Sequence, residues 1–208
     1  MMISILPTAF IFIAAALVLG LLPKGNVRGV ILLITPILAA WQIWNLPAGI
    51  FAQVEFVGQT LDMMRVDKLS RIFGLIFCLA AFLGNLYAWH VRDFIQQIAA
   101  LLYAGAAIGA VFAGDLITLF FYWEGTALAS VFLIWARRTE GSHHTGMRYL
   151  IIQITSGVIL LAGTALLYRE TGSITFERMT LGSLGTWLVV LSVGIKCSFP
   201  LLYNWHQD

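Results

Sequence analysis

GDLITLFFYWEGTALASVFLIW, residues 114–135, is the stretch from which the rest of the chain can be read. Gly114-Asp115 makes a turn, and an apolar run from about Leu116 to Trp135 follows it, broken by one formal charge, Glu124. About 20 apolar residues cross a ~30 Å hydrocarbon core as a helix. The run has that length, with its acid near the middle. A second run, from about Leu184 to Tyr203, is built the same way around a base, Lys196. All other charged residues fall between such runs or at their ends. A charge at bilayer mid-depth costs roughly 2.5–3.5 kcal/mol on insertion scales. A chain that keeps one acid and one base there is read as using them to move ions or protons across a membrane.

Composition agrees. Of the 208 residues 60% are hydrophobic and 11% charged, against about 25% charge in a soluble domain. The chain is therefore an integral membrane protein. Its runs of near 20 residues are helical spans, since barrel strands would show ~10-residue alternating segments. A formal net charge of +2, with no basic patch, argues for no nucleic-acid partner. No zinc spacing or phosphate loop is present, so no metal or cofactor is expected. Cys78 and Cys197 both fall within predicted spans and read as small packing residues. Met1 to Leu22 lacks a positive leader and is long enough to span, so it reads as a retained helix.

Outward from the two charged runs, the chain resolves into seven spans. The first is about Ile3 to Leu22. A polar link, Lys24 to Arg28, leads to the second, about Gly29 to Leu46, which contains Pro36. Transmembrane helices tolerate an internal proline. Residues 47–68 carry Glu55, Asp62, Arg65, Asp67 and Lys68 and form an extramembrane loop. The partial alternation of Gln53 to Val57 suggests a short hairpin there. Asp67 reads as the N-cap of the third span, about Leu69 to Trp89. His90, Arg92 and Asp93 turn the chain into the fourth, about Phe94 to Phe112. The fifth is the opening stretch. A basic loop, Arg137 to Arg148, holds His143 and His144, which read as solvated residues and not as metal ligands. The sixth span is about Tyr149 to Tyr168, and a polar loop from Arg169 to Thr180 precedes the seventh. No internal repeat is evident within these residues.

Alternate loops fall on two sides. Lys24, Arg28, Arg92, Arg137, Arg138 and Arg148 share one side, in the shorter loops; Arg65, Lys68, Arg71, Arg169 and Arg178 share the other. The positive-inside rule makes the first side cytoplasmic and the amino terminus external.

Glu124 comes nine residues after Asp115, or ~14 Å at 1.5 Å per residue. Lys196 comes twelve residues after Leu184, ~18 Å in from the same side. The two can pair if the fifth and seventh helices touch. Burial disfavours the charged form of either group, so such a couple can exchange a proton near neutral pH. A structural ion pair is the alternative, and a weak one, because buried pairs often stabilise no better than hydrophobic replacements. Thr118, Tyr122, Thr126 and Ser130 repeat every four residues, and Glu124 lies about 200° from Tyr122 and from Thr126 at roughly 100° per residue. That stripe reads as a close-packing helix interface, as do Gln153, Gly157 and Thr164 on the sixth span. Pro200 removes a backbone donor and clashes with the carbonyl of Lys196, so the seventh helix is expected to break beside its charge. Broken helices near mid-membrane often mark ion sites. His206, near the seventh-span exit, is a candidate proton relay.

At these residues the chain resembles a known family. Gly114-Asp115-Leu116 with Trp123-Glu124 is similar to the fifth helix of the antiporter-like membrane subunits of respiratory complex I (NADH–quinone oxidoreductase) and of Mrp-type sodium/proton antiporters. Gly194-Ile195-Lys196, Phe199-Pro200-Leu201 and Trp205 resemble their seventh helix, and Val66-Asp67-Lys68-Leu69-Ser70 the segment entering their third. The resemblance implies an all-α integral membrane fold of about seven helices, the seventh broken near Lys196 and Pro200. Residues 1–93 would be three N-terminal helices with the loop 47–68, and residues 94–208 an incomplete first translocation repeat. It implies Lys196 as the proton-carrying lysine and Glu124 as the glutamate that modulates it, with Pro200, Tyr203 and His206 as possible support or relay. Leu201, Leu202, Tyr203 and Asn204 stand where many members place a histidine, so that histidine's role is not carried over. It implies other membrane subunits of an antiporter or complex I-like assembly as partners, protons and possibly sodium as cargo, and a bacterial plasma membrane as the location. Redox chemistry would belong to partner subunits. Members usually have about fourteen helices in two inverted repeats; this chain stops at Asp208 inside the first, which implies a fragment, a truncated product or half of a split subunit.

Two other readings compete. A structural or assembly subunit would need no transport. A seven-helix retinal protein would use Lys196 for its Schiff base, but the third span has no acid within it to serve as counter-ion.

Overall fold

The computed structural model describes residues 6–23, 25–176 and 179–198. Among them, seven α-helices follow in chain order: α1 (Ala9–Leu21), α2 (Asn26–Asn45), α3 (Lys68–Tyr87), α4 (Phe94–Phe112), α5 (Leu116–Trp135), α6 (Glu140–Thr171) and α7 (Leu184–Lys196). An antiparallel hairpin, β1 (Gly49–Phe56) and β2 (Gln59–Val66), stands between α2 and α3. Its two-residue turn, Val57-Gly58, has both φ angles positive, as a primed hairpin turn requires. The long helices α2 to α6 are apolar enough to cross a membrane. Much of their large apolar surface faces outward, as on α3, where Leu69, Ile72, Phe73 and Ile76 are exposed. The protein is an integral membrane protein.

The helix starts are set by side chains. Asp67 and Ser70 form a reciprocal capping box at the head of α3, bearing out the N-cap expected there. Asp93 caps α4 through the Ile95 and Gln96 N–H groups. Pro36, inside α2, cannot donate to the Leu32 carbonyl; Asn85 of α3 donates to that carbonyl instead, at 2.8 Å. A residue tolerated in α2 thereby becomes a bond between two helices.

Several boundaries differ from the sequence expectation. The first span was expected from Ile3, but residues 1–5 lie outside the described residues and α1 begins only at Ala9. Pro7 has no N–H to give, and helical bonding starts with Phe10 N to the Pro7 carbonyl. α1 has 13 residues, ~20 Å, which is short of a full crossing. α2 starts at Asn26, so Arg28 is helical, and its guanidinium holds the Leu22 carbonyl. The largest difference is at Arg137–Arg148, expected as a polar loop. α6 begins at Glu140 and takes in His143 and His144. Thr139 and Ser142 form a capping box there, so helix can start in polar sequence: hydropathy marks where a membrane begins, not where a helix does. With 32 residues α6 is ~48 Å long and outreaches the hydrocarbon core. Cys197, expected to pack inside a span, lies exposed just beyond α7.

The apolar core falls into two main parts. One joins α1 to α4 and the hairpin around Phe12, Ile43, Met64, Leu101 and Phe112. The other joins α5, α6 and α7 around Leu116, Leu160, Leu167 and Val189. Neighbouring helices pack in order from α2 to α7, with α1 on α4 and α2. The loops gather at two ends. At one end Arg138 pairs with Asp93 at 2.6 Å, and Arg92 donates to Asn26. At the other, the hairpin meets the start of α5: Gly114 N donates to Asp62 O, and Leu116 N to Ile174 O. The alternate loops therefore share ends as the sequence arranged them.

Candidate functional site

α5 is positioned from its hairpin end. Asp115 is fully buried. It accepts from Thr118 N, from Thr118 Oγ1 and from Asp62 N, each at 2.7 Å. These bonds fix α5 to the hairpin and set the phase of every residue after them. Tyr122 then lies against Gly109 of α4, where a Cβ would come within 2.7 Å of the ring's Cζ. The expected packing stripe is real at this level. It does not persist to Ser130, which donates instead to Tyr149 of α6 at 2.7 Å. A step of four residues advances 40° around a 3.6-residue helix, so the row turns onto a new neighbour within twelve residues.

Glu124 faces α6. A Cβ at Gly157 would lie 2.7 Å from the Glu124 Cδ and 3.2 Å from the Phe120 ring. Gly157 is thus the opening that lets the carboxyl group sit between the helices. The Glu124 Oε1 atom is buried and has no hydrogen-bond partner among the described residues. The Nε1 of Trp123 is in the same condition.

Lys196 is the last residue of α7. The helix stops there: Cys197 N still reaches Val193 O, but Ser198 has turned to a φ of 53°. α7 thus ends at the lysine, where the sequence expected an interruption, while Pro200, Tyr203 and His206 lie outside the described residues. Two serines hold α7 against α6 one turn earlier. Ser156 Oγ donates to the Ser192 carbonyl at 3.0 Å, and Ser192 Oγ to the Ser156 carbonyl at 2.8 Å.

From that position Lys196 crosses to α5. Its Nζ donates to the Trp123 carbonyl at 3.0 Å and lies 5.3 Å from the centroid of the Trp123 ring. Thr126 Oγ1 donates to the same carbonyl at 2.7 Å. Lys196 and Glu124 form no direct ion pair, although each lies within electrostatic reach of the other. The base is moored to the peptide group next to the acid, and the acid keeps an unpartnered oxygen. An ammonium on a carbonyl is a charge-assisted bond, and losing the proton weakens it.

Sequence reasoning missed the Trp123 carbonyl and the serine pair, and read Gln153 only as a packing residue. No sequence signal marks a backbone acceptor. Gln153, fully buried with its amide oxygen unpartnered, had one: it is an amide in an apolar run, one turn from the glycine that faces Glu124. His143 stacks on Trp135, ring centroids 5.4 Å apart. No cluster of metal-ligating side chains occurs among the described residues.

Residues 113–208 match the family described as NADH:quinone oxidoreductase/Mrp antiporter, transmembrane. Over that stretch the chain is similar to the antiporter-like membrane subunits. It is 28% identical over 163 residues to NADH-quinone oxidoreductase subunit N of Deinococcus radiodurans, a match covering 70% of this chain and 33% of that one. It is 32% identical over 122 residues to a Na(+)/H(+) antiporter subunit of Alkalihalophilus pseudofirmus, covering 54% and 15%. The antiporter-like fold also appears in a chain of respiratory complex I from Thermus thermophilus. There the TM-score is 0.77 at 20% identity, over 95% of this chain and 45% of that one. The chain spans a third or less of the Deinococcus and Alkalihalophilus relatives.

Proposed function

We propose that this chain moves protons, alone or in exchange for sodium, as one membrane subunit of a larger assembly of Mrp or complex I-like type. Lys196 is the proton carrier and Glu124 the acid that sets how tightly it holds its proton. The observation that carries this reading is the bond from Lys196 to the Trp123 carbonyl, which brings an intramembrane base beside an intramembrane acid at the end of a stopped helix. Ionisable groups at such a depth are functional sites by default. Residues 94–208 act as the translocating part, with residues 1–93 flanking it. The other membrane subunits of the assembly supply what lies beyond the Lys196 end, and any redox chemistry is theirs.

The end that carries Arg28, Arg92, Arg137, Arg138 and Arg148 faces the cytoplasm by the positive-inside rule, which leaves the amino terminus outside. The membrane is a bacterial plasma membrane, as the bacterial sources of the relatives suggest.

The test is proton flux in vesicles carrying the native assembly. Lys196→Ala and Glu124→Gln should each lower flux by roughly tenfold or more while the assembly forms in normal amount. Unchanged flux in both variants would leave only a structural role.

A further inference from the structure

The α5–α6 seam has a register fixed by contacts along its length. Glu124 meets Gly157, Ser130 meets Tyr149, and Trp135 meets Gly146 and His143. Moving up α5 from one contact to the next moves down α6 by a comparable length, as in an antiparallel pair. Between the first two contacts the register places Gln153 beside Ala127. Gln153 is 2% exposed and Ala127 0%, so a small side chain faces a long amide.

This column holds polar groups where helix packing asks for none. Glu124 Oε1 and Gln153 Oε1 are both buried acceptors without a protein donor among the described residues. Leaving a buried acceptor in that state is unfavourable, and native proteins relieve such groups with ordered water. Beyond Gln153 come the hydroxyls of Ser130 and Tyr149, bonded to each other at 2.7 Å. Tyr149 lies within electrostatic reach of Glu124. Further on, the seam ends at the exposed first turns of α6 with His143 and His144. From Glu124 to the level of Trp135 the distance is ~16 Å. A structural staple would explain the Ser130–Tyr149 bond. It does not explain a buried amide whose oxygen has no donor among the described residues.

We propose that the α5–α6 seam is the route by which protons reach Glu124 from the end where α6 begins, through the Tyr149 and Ser130 hydroxyls and water held by Gln153. The inference rests on the role of Glu124 proposed above. A proton taken from bulk water at the α6 end enters the column. Each hydroxyl or water passes one O–H proton onward as it receives another, so the column is unchanged in composition. The Glu124 carboxylate takes the last proton and becomes a carboxylic acid. Gln153 transfers no proton itself and is a positioning residue.

The experiment uses vesicles carrying the native assembly, with a trapped pH-sensitive dye and an imposed pH step. Gln153→Leu, which keeps the volume and removes the amide, should lower flux roughly tenfold or more, and Tyr149→Phe several-fold. Gln153→Asn, which keeps an amide, should retain most of the flux; a purely packing role would make this shorter residue the worse of the two. Wild-type flux in an assembled Gln153→Leu variant overturns the proposal. Where Gln153→Leu does not assemble, Tyr149→Phe decides: reduced flux supports the route and unchanged flux overturns it. Glu124→Gln in the same vesicles separates the two ideas. Flux lost there but kept in both Gln153→Leu and Tyr149→Phe removes the seam alone, whereas flux kept in Glu124→Gln removes the acid's role and the seam with it.

Discussion

Asp115 and Glu124 stand at the start and near the middle of the same helix. Asp115 is fully buried and accepts three hydrogen bonds, two from its own first turn and one from the hairpin. Glu124 is only partly buried, yet its Oε1 finds no donor among the described residues. The better-buried acid is the structural one. What separates the two is whether the protein has already supplied each carboxylate's partners. A carboxylate whose partners are supplied holds the fold together. One left short of donors stays free to change its proton state.

The largest expected effect belongs to the satisfied acid. Asp115→Ala should cost about 3 kcal/mol, from a lost cap and buried donors left unpaired, read as a drop in thermal unfolding temperature of the detergent-solubilised assembly. A cost under ~1 kcal/mol would erase the distinction. Glu124→Gln should behave oppositely. Its stability should stay within ~0.5 kcal/mol of wild type, while flux falls roughly tenfold or more, equivalent to ~1.4 kcal/mol of barrier.

Next in size is the glycine that makes room for Glu124. Gly157→Ala should destabilise by about 1 kcal/mol through overpacking and lower flux by displacing the carboxyl group. Gly141→Ala, where a Cβ meets nothing within 4 Å, should be neutral or stabilising as helix propensity predicts. Equal behaviour of the two variants would show that Gly157 has no special place. The smallest effect is at Asp67, an exposed cap outside the spans. The Ser70 backbone N–H holds its carboxyl below the usual carboxylate range. A carboxyl lowered in the folded state adds stability above its ordinary pKa, near about 4, and loses it as pH falls through the folded value. Asp67→Asn should therefore flatten the acid limb of an unfolding-temperature profile below about pH 4, leaving neutral-pH stability almost unchanged.

Much of this was legible in the sequence. Leu116–Trp135 and Phe94–Phe112 were read at their observed bounds because apolar runs flanked by Asp115 and Asp93 mark both the membrane and the helix start. The hairpin was visible in the alternation around Val54. The polar first turns of α6 were not, because a capping box starts a helix without any change in hydropathy. The two charged residues of the site were found through the cost of burying them. Their mutual arrangement was not, since Lys196 binds a backbone carbonyl, which every residue possesses. Gln153 was read as packing, and its burial agrees; that its amide oxygen would lack a donor among the described residues could not be seen from spacing.

The reciprocal serine bonds between α6 and α7 carry a mechanical consequence. Ser156 and Ser192 each bond the other's backbone, so sliding or rotating either helix at that level breaks both bonds together. The pair is a rivet. Lys196 lies one turn beyond it, where the helical rod ends. The anchored part of α7 thus runs up to the lysine's own turn. The rivet therefore fixes how the lysine's turn stands against α6, and with it the reach of Lys196 to the Trp123 carbonyl on α5.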